Sequence, residues 1–395
     1  MLSNFLSLFL FYFFRIVFLS KFKKKIIILH STNNFNYSEN TKYLFEYLIK
    51  KNIECYWVTE NEKIKNYLKI KNFRFISKTN LIKYIYITLK AKLIISPAAN
   101  YHNPFNILSF DKETIKINVD HGTGIKNVLT RKFKKKEISD YSNLTKINFT
   151  SDFSVREYGI KQYKVKKNQI IKLGYPRCDQ LFDKVKLNQN KKEKIFKYMF
   201  NNEITAKKKI IFYTPTWRPY KMGLPLAKVS DFSFKKMNSF LKKENMHMFI
   251  NFHENSKPKY SLKFSNIIII NKEKYPFFDS TLFLKISDML INDCSTIMTE
   301  ACLINLPQIY VFPDLKKYTK LKGFLLNFKS ICPGKLIENY RELENTINIV
   351  NFNKKNYLKT YKKPINENIN LFYDFKLKKS SFKFFKYFKK IFENF

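Results

Sequence analysis

The chain has 395 residues, 45% of them hydrophobic and 27% charged, which excludes a fully disordered polymer and supplies apolar matter for two domains of ~100 to 200 residues each. Its 74 Lys and Arg against 31 Asp and Glu give a formal net charge of +43, a sign that selects anionic partners: nucleic acid, anionic membrane or a phosphate-rich substrate. Only seven of the 74 cations are Arg, as in A/T-rich coding sequence, no motif reads bases, and the 41 Phe and 25 Tyr gather on no single platform, so nucleic acid is set aside.

In chain order, the first element is Phe5 to Leu19, almost wholly apolar, interrupted by Ser7 and Arg15 and followed by Lys21, Lys23, Lys24 and Lys25. It lacks the basic n-region and small-residue cleavage site of a secretory signal. It is also shorter than the ~20 residues of a spanning helix. Residues 1–23 are therefore expected to form a membrane-associating segment, embedded from one side, with a single span or a buried core helix as alternatives.

Apolar runs then alternate with helical patterns. Ile26 to His30, Glu54 to Val58, Lys92 to Ser96 and Ile115 to Asp120 form one series; Ile210 to Thr214, Met246 to His253, Ile267 to Ile270, Asp288 to Asp293 and Gln308 to Phe312 form another. Such runs with helix-length spacers predict βα units and parallel sheets. The Lys- and Asn-rich stretch Leu187 to Lys209 separates the two series. The expected α/β architecture is two Rossmann-like domains, residues 24–187 and 202–350, facing across a cleft with ligands at the carboxyl ends of the strands.

The first series ends in DHGTGIK (Asp120 to Lys126) and LGYPRCD (Leu173 to Asp179), which hold three of only seven glycines. His121 follows a strand, so it points into the cleft and can take a proton from a hydroxyl, while Gly122 and Gly124 let a ligand approach the backbone; a structural turn histidine is the plainer explanation. Gly122, Thr123 and Lys126 are placed on the acceptor side. Arg177, and Arg218 in YTPTWR (Tyr213 to Arg218), stand where Lys is the default cation, which suggests planar contacts to phosphate, or simply salt bridges. Thr216 lies in the same turn and is grouped with them.

In the second series His253 ends the strand MFINFH and can donate to a phosphate oxygen or a leaving group. The segment SDMLINDCSTIMTEA (Ser287 to Ala301) reads as a buried strand reaching Asp293, which is grouped with the donor-phosphate contacts, then Ser295 and Thr296 opening a helix through Glu300. Unpaired N–H groups there can grip a diphosphate, or Ser295 can be an ordinary N-cap. Glu300 can hold ribose hydroxyls or pair with a lysine. Residues 351–395 form a C-terminal extension ending in SSFKFFKYFKKIFENF, with Phe385, Phe388, Phe392 and Phe395 at helical spacing among Lys383, Lys386, Lys389 and Lys390. This basic amphipathic helix suits an anionic membrane surface, or the protein's own body. The five cysteines form no CxxC pair or even framework, which argues against structural zinc and disulfides and for a reducing, cytoplasmic compartment.

Taken together, HGTGIK, GYPRCD, YTPTWR, NFHEN, INDCSTIMTE and DLKKYTKLKGFLLNFKSICPGKLI, in this order, resemble the CDP-glycerol glycerophosphotransferase family of teichoic acid and capsule polymerases over about Lys24 to Val350. The resemblance implies a GT-B fold, attachment to the cytoplasmic face of the membrane, and transfer of glycerol phosphate from CDP-glycerol to a hydroxyl of a lipid-linked or glycan acceptor. It also implies that His121 is the base, that His253 lies in the phosphate site and that Ser295 and Thr296 bind diphosphate. The sequence departs from the family pattern at Gly124 (Pro), Cys294 (Tyr), Thr296 (Ser), Cys178 (Asn) and Glu254 (Pro), positions that shape the pocket, so CDP-ribitol stays an alternative donor. The expected chemistry is direct displacement at the β-phosphorus without metal or cofactor, CMP leaving with its charge held by His253, Arg218, Ser295 and Thr296. A nucleotide-sugar glycosyltransferase of the same fold and a non-catalytic membrane scaffold are the competing readings.

Overall fold

A computed structural model of the chain describes residues 9, 12–13, 23–32, 34–98, 113–122, 124–127, 141–182, 187–204, 208–218, 220, 222–252, 264–374 and 379–393. The first series of apolar runs builds a seven-stranded parallel sheet in the order β3-β2-β1-β4-β5-β6-β7. Its strands are β1 (Lys24–His30), β2 (Cys55–Val58), β3 (Phe75–Ile76), β4 (Ala91–Ser96), β5 (Ile115–Asn118), β6 (Lys146–Phe149) and β7 (Ile170–Lys172). The second series builds a six-stranded parallel sheet in the order β10-β9-β8-β11-β12-β13. It comprises β8 (Lys209–Thr214), β9 (Met246–Ile250), β10 (Ile267–Ile269), β11 (Met289–Asn292), β12 (Gln308–Val311) and β13 (Lys335–Ile337).

Burial on both faces explains why these strands read as unbroken apolar runs rather than alternations. In β1, Ile27 and Leu29 face one core with Trp57, Leu93 and Ile117, while Ile26 and Ile28 face the other with Tyr84, Ile85 and Ile94. In β8, Ile211 and Tyr213 pack with Met237, Met248 and Ile291, and Ile210 and Phe212 with Phe249 and Phe283. The Lys-rich stretch before β8 contains the helix Gln189–Phe200, whose Phe196, Met199 and Phe200 belong to that last cluster. Strand order reverses between β1 and β4 and again between β8 and β11, and at such switch points a crevice opens beyond the carboxyl ends of the strands.

The C-terminal helix Ser380–Glu393 returns to the first sheet, which corrects the expected use of its aromatic stripe. Phe384, Phe388 and Phe392, an i, i+4, i+8 row, are buried among Leu29, Phe45, Leu93 and Ile95. Burying each is worth roughly 1.5–3 kcal/mol, so the stripe is spent on the protein's own core. Phe385 is half-buried at the edge of that contact, and Phe395 lies outside the described residues. Asp179, at the end of the GYPRCD segment, anchors the helix by accepting the Ser380 and Ser381 N–H groups at 2.7 and 2.8 Å. What remains outward is a cationic face with Lys386, Lys389 and Lys390.

At the other end, Phe9, Tyr12 and Phe13 are exposed, with Phe9 and Phe13 rings stacked 6.0 Å apart; the rest of the apolar stretch lies outside the described residues. No helix among the described residues is long and apolar enough to cross a membrane.

Candidate active site

A cleft of about 330 Å³ opens between the two sheets, walled by segments that leave their carboxyl ends. The first sheet contributes Thr32 and Glu39 beyond β1, His121 and Lys126 beyond β5, and Arg177 beyond β7. The second contributes Thr216 beyond β8, Asn251 and Phe252 beyond β9, and Ser295, Thr296 and Glu300 beyond β11.

The glycine-rich loop of the first sheet meets the wall of the second. Gly122, at φ 140°, lies so close to that wall that a Cβ on it would stand 2.9 Å from Thr296 Oγ1, as well as 3.2 Å from Arg177 Nη2 on its own side; on Gly124 a Cβ would stand 3.0 Å from Thr296 Cγ2. Glycine is therefore required by the approach of the two walls. The loop is held in place from behind. The Tyr158 hydroxyl donates to the carbonyls of Gly124 and Lys126 at 2.5 and 2.9 Å, and residues 125–127 pair with 323–325 through Leu325 N–H to Ile125 O (2.7 Å) and Asn127 N–H to Gly323 O (3.1 Å).

His121 is exposed in the cleft. The preceding Asp120 has φ 60°, accepts the Tyr175 hydroxyl and the His121 N–H (2.7 Å), and brings Oδ1 within 3.6 Å of the His121 Nδ1. Facing it, Ser295 and Thr296 precede the helix Ile297–Leu303. Their carbonyls take part in the turn, accepting from Met298 and Thr299, but the N–H groups of Ser295, Thr296 and Ile297 have no acceptor among the described residues. Three unpaired donors on a cleft wall form a site for an anion.

Arg177 and Glu300 find each other across the cleft. The guanidinium donates to Glu300 Oε1 at 3.0 and 2.5 Å, and Thr281 donates to Oε2 at 2.6 Å. Both side chains are buried, and the pair joins the two walls. Lys126 has no acidic partner among the described residues, so it is a cation of the cleft that can meet an incoming anion.

Arg218 and Asp293 differ from the expected phosphate contacts. Arg218 is 6% exposed and saturated: it donates to Asp293 at 2.7 Å, to Asp314 at 2.7 and 2.9 Å and to the Thr216 carbonyl at 2.8 Å, with its guanidinium over the rings of Phe312 and Tyr318. Asp293 is fully buried and also accepts the Thr216 N–H (2.9 Å), the Thr216 hydroxyl (2.6 Å) and the Cys294 N–H (2.5 Å). With no donor or acceptor directed outward, these two side chains brace the turns that carry Thr216 and Ser295 from below. Burial would raise the Asp314 carboxyl, but Arg218 and Tyr220 hold it below its ordinary range. Thr123 and His253 lie outside the described residues, although the neighbours of both, Gly122 and Phe252, are at the cleft.

Sequence reasoning missed Thr32, after β1, and Glu39 and Asn40, which open the following helix, in a segment with no glycine, histidine or arginine to draw attention. The one local signal was the acidic residue at the start of a helical pattern, which reads as ordinary dipole compensation.

The comparisons with known proteins agree with this geometry. The family model described as CDP-Glycerol:Poly(glycerophosphate) glycerophosphotransferase matches residues 12–383. The teichoic acid glycerol-phosphate primase of Bacillus subtilis (strain 168) is 28% identical over 285 residues, 68% of this chain and 68% of that protein. The teichoic acid poly(glycerol phosphate) polymerase of Bacillus spizizenii is 26% identical over 388 residues, 91% and 90% of the two chains. Among solved structures, a variant of the wall teichoic acid polymerase TagF soaked with CDPG superposes with a TM-score of 0.75 at 21% identity, covering 100% of this chain and 99% of that one, so the two share a fold.

Proposed function

The chain belongs to the CDP-glycerol:poly(glycerophosphate) glycerophosphotransferase family, and we propose that its cleft moves glycerol phosphate from CDP-glycerol to a hydroxyl of a teichoic acid acceptor by direct displacement. The observation that carries this reading is the meeting of two walls, one bearing His121 and the other bearing the unpaired N–H groups of Ser295, Thr296 and Ile297.

In this reading the acceptor hydroxyl gives its proton to His121 as its oxygen attacks the β-phosphorus of CDP-glycerol. The bond from that phosphorus to the bridging oxygen breaks, and CMP leaves with the electron pair. The amides of Ser295 and Thr296 and their hydroxyls take the charge that develops on the departing phosphate, preorganised donors costing little to reorient, while Lys126 stays on the acceptor side. His253, which lies outside the described residues, is proposed to join these donors. Arg218 and Asp293 act one layer back, through Thr216 and the Ser295 turn, and the Arg177–Glu300 pair fixes the width of the cleft between donor and acceptor sides.

Hydrogen bonds to charged groups contribute about 1.5–3 kcal/mol each, so removing both hydroxyls in Ser295→Ala/Thr296→Ala is expected to weaken CDP binding at least tenfold while leaving the amides in place. Calorimetry with CDP measures this. Unchanged affinity would remove the diphosphate from this turn.

The enzyme works at the cell membrane, and peripheral attachment fits the cationic outer face of the helix Ser380–Glu393 together with the exposed rings of Phe9, Tyr12 and Phe13. Stable anchoring takes two signals. Deleting residues 1–22 is therefore expected to release most of the protein from anionic vesicles in flotation, more completely as salt rises. Undiminished flotation would move attachment to the body of the chain.

A further inference from the structure

Glu39 is the feature of the cleft that this chemistry leaves unused. It opens the helix Glu39–Lys50, yet its φ is 72°, in the left-handed region that costs a residue with a side chain of order 1–3 kcal/mol. Such strain persists where the surroundings overdetermine the conformation. Here Thr32 grips both carboxylate oxygens, its N–H donating to Oε2 at 3.1 Å and its hydroxyl to Oε1 at 2.8 Å. The next residue, Asn40, donates to the Asp120 carbonyl at 2.8 Å and accepts the Arg177 N–H at 3.2 Å. The first turn of this helix is thus stitched to both loops that carry His121 and Arg177, and the Glu39 carboxylate lines the same cleft.

Burial pushes the Glu39 carboxyl up, while Thr32, His121 and Arg177 pull it back toward the charged form. Of the other ionic groups at this corner, Asp120 holds the His121 N–H and the Tyr175 hydroxyl and stands 3.6 Å from the His121 Nδ1, Arg177 is held by Glu300, and Asp279 accepts from Tyr43 at 2.8 Å. Lys126 and Lys272 complete the charged lining.

We propose that Glu39 is a positioning residue of the transfer: its clamped carboxylate lines the cleft that His121 lines, on a turn tied to the His121 loop through Asn40, and balances the positive charge which the imidazole acquires on taking the acceptor proton. Glu39 itself takes no proton. The O–H bond of the acceptor breaks toward His121, the new O–P bond forms and the bond to CMP breaks, and the carboxylate acts only on the imidazolium, as an acidic partner does for a catalytic histidine. This inference rests on the base assignment of His121.

The test is steady-state kinetics of the full chain with CDP-glycerol and a lipid-linked teichoic acid primer across the neutral pH range. Removing this negative charge from the cleft in Glu39→Gln is expected to lower kcat about tenfold or more and to move the acidic limb of the kcat profile to lower pH, with KM for CDP-glycerol within about twofold. Thr32→Val, which keeps the charge and the backbone N–H contact but removes the hydroxyl half of the clamp, is expected to give a smaller loss of the same kind. In Glu39→Gln/His121→Ala the rate should equal that of His121→Ala alone, because the carboxylate works through the ring. A normal kcat and unmoved limb in both Glu39→Gln and Thr32→Val, or a double variant slowed by the product of the single effects, would overturn the role of Glu39. Near-normal turnover in His121→Ala would instead overturn the base assignment beneath it.

Discussion

Changing His121 to Ala is expected to slow turnover by about 10² to 10⁴-fold while leaving CDP-glycerol binding nearly intact. On the proposed mechanism the imidazole acts on the acceptor's proton in the transition state, and the donor diphosphate is assigned to Ser295 and Thr296, which line the opposite wall of the cleft. Loss of the imidazole therefore removes a contact made to the reacting acceptor and none made to the bound nucleotide. The fold should tolerate the change, because the ring is exposed in the cleft and the loop is held by its backbone, through Asn40, Tyr158 and the pairing with residues 323–325. Comparable losses in kcat and in CDP affinity would place the ring on the donor.

The second large effect is on stability. Arg218→Met keeps much of the volume and removes the charge, leaving Asp293 and Asp314 buried without their counter-ion, which costs about 3–5 kcal/mol. The shift of the urea midpoint in the full chain measures it, and a change below about 1 kcal/mol would contradict a bracing role. Since Asp314 is held below its ordinary range, its contribution is fully present above the unfolded-state value near ~4 and fades as pH falls through the lower folded value, so wild type should converge on the variant in acid. Arg218→Lys should recover only part of the loss, because one ammonium cannot reproduce the fork that meets Asp314 with two nitrogens.

Much of this fold was legible because buried parallel strands announce themselves. All nine apolar runs became strands, and the glycines of DHGTG sit where two walls approach within van der Waals contact. The four strands that were not anticipated, β3, β6, β7 and β13, are two to four residues long and flank the sheets, too short for any period to show. Side-chain partnerships were the least legible. Arg177 finds Glu300 across 123 positions and Arg218 finds Asp314 across 96, and nothing local distinguishes an arginine aimed at phosphate from one aimed at a carboxylate folded back from afar. The C-terminal helix follows the same logic: its phenylalanine period identifies an apolar face, but only the tie from Asp179 and the open flank of the first sheet decide that the face meets protein. Glu39 escaped because its strain is a backbone angle, which composition does not encode.

The central claim, a phosphotransfer from CDP-glycerol based on His121, is tested most directly by product analysis of wild type and His121→Ala supplied with CDP-glycerol, a UDP-sugar and a lipid-linked teichoic acid primer. CMP release matched one-for-one by glycerol phosphate on the primer, abolished or reduced at least a hundredfold in the variant, is the expected result. UDP release with sugar on the primer, or CMP release that survives the loss of His121, would contradict it.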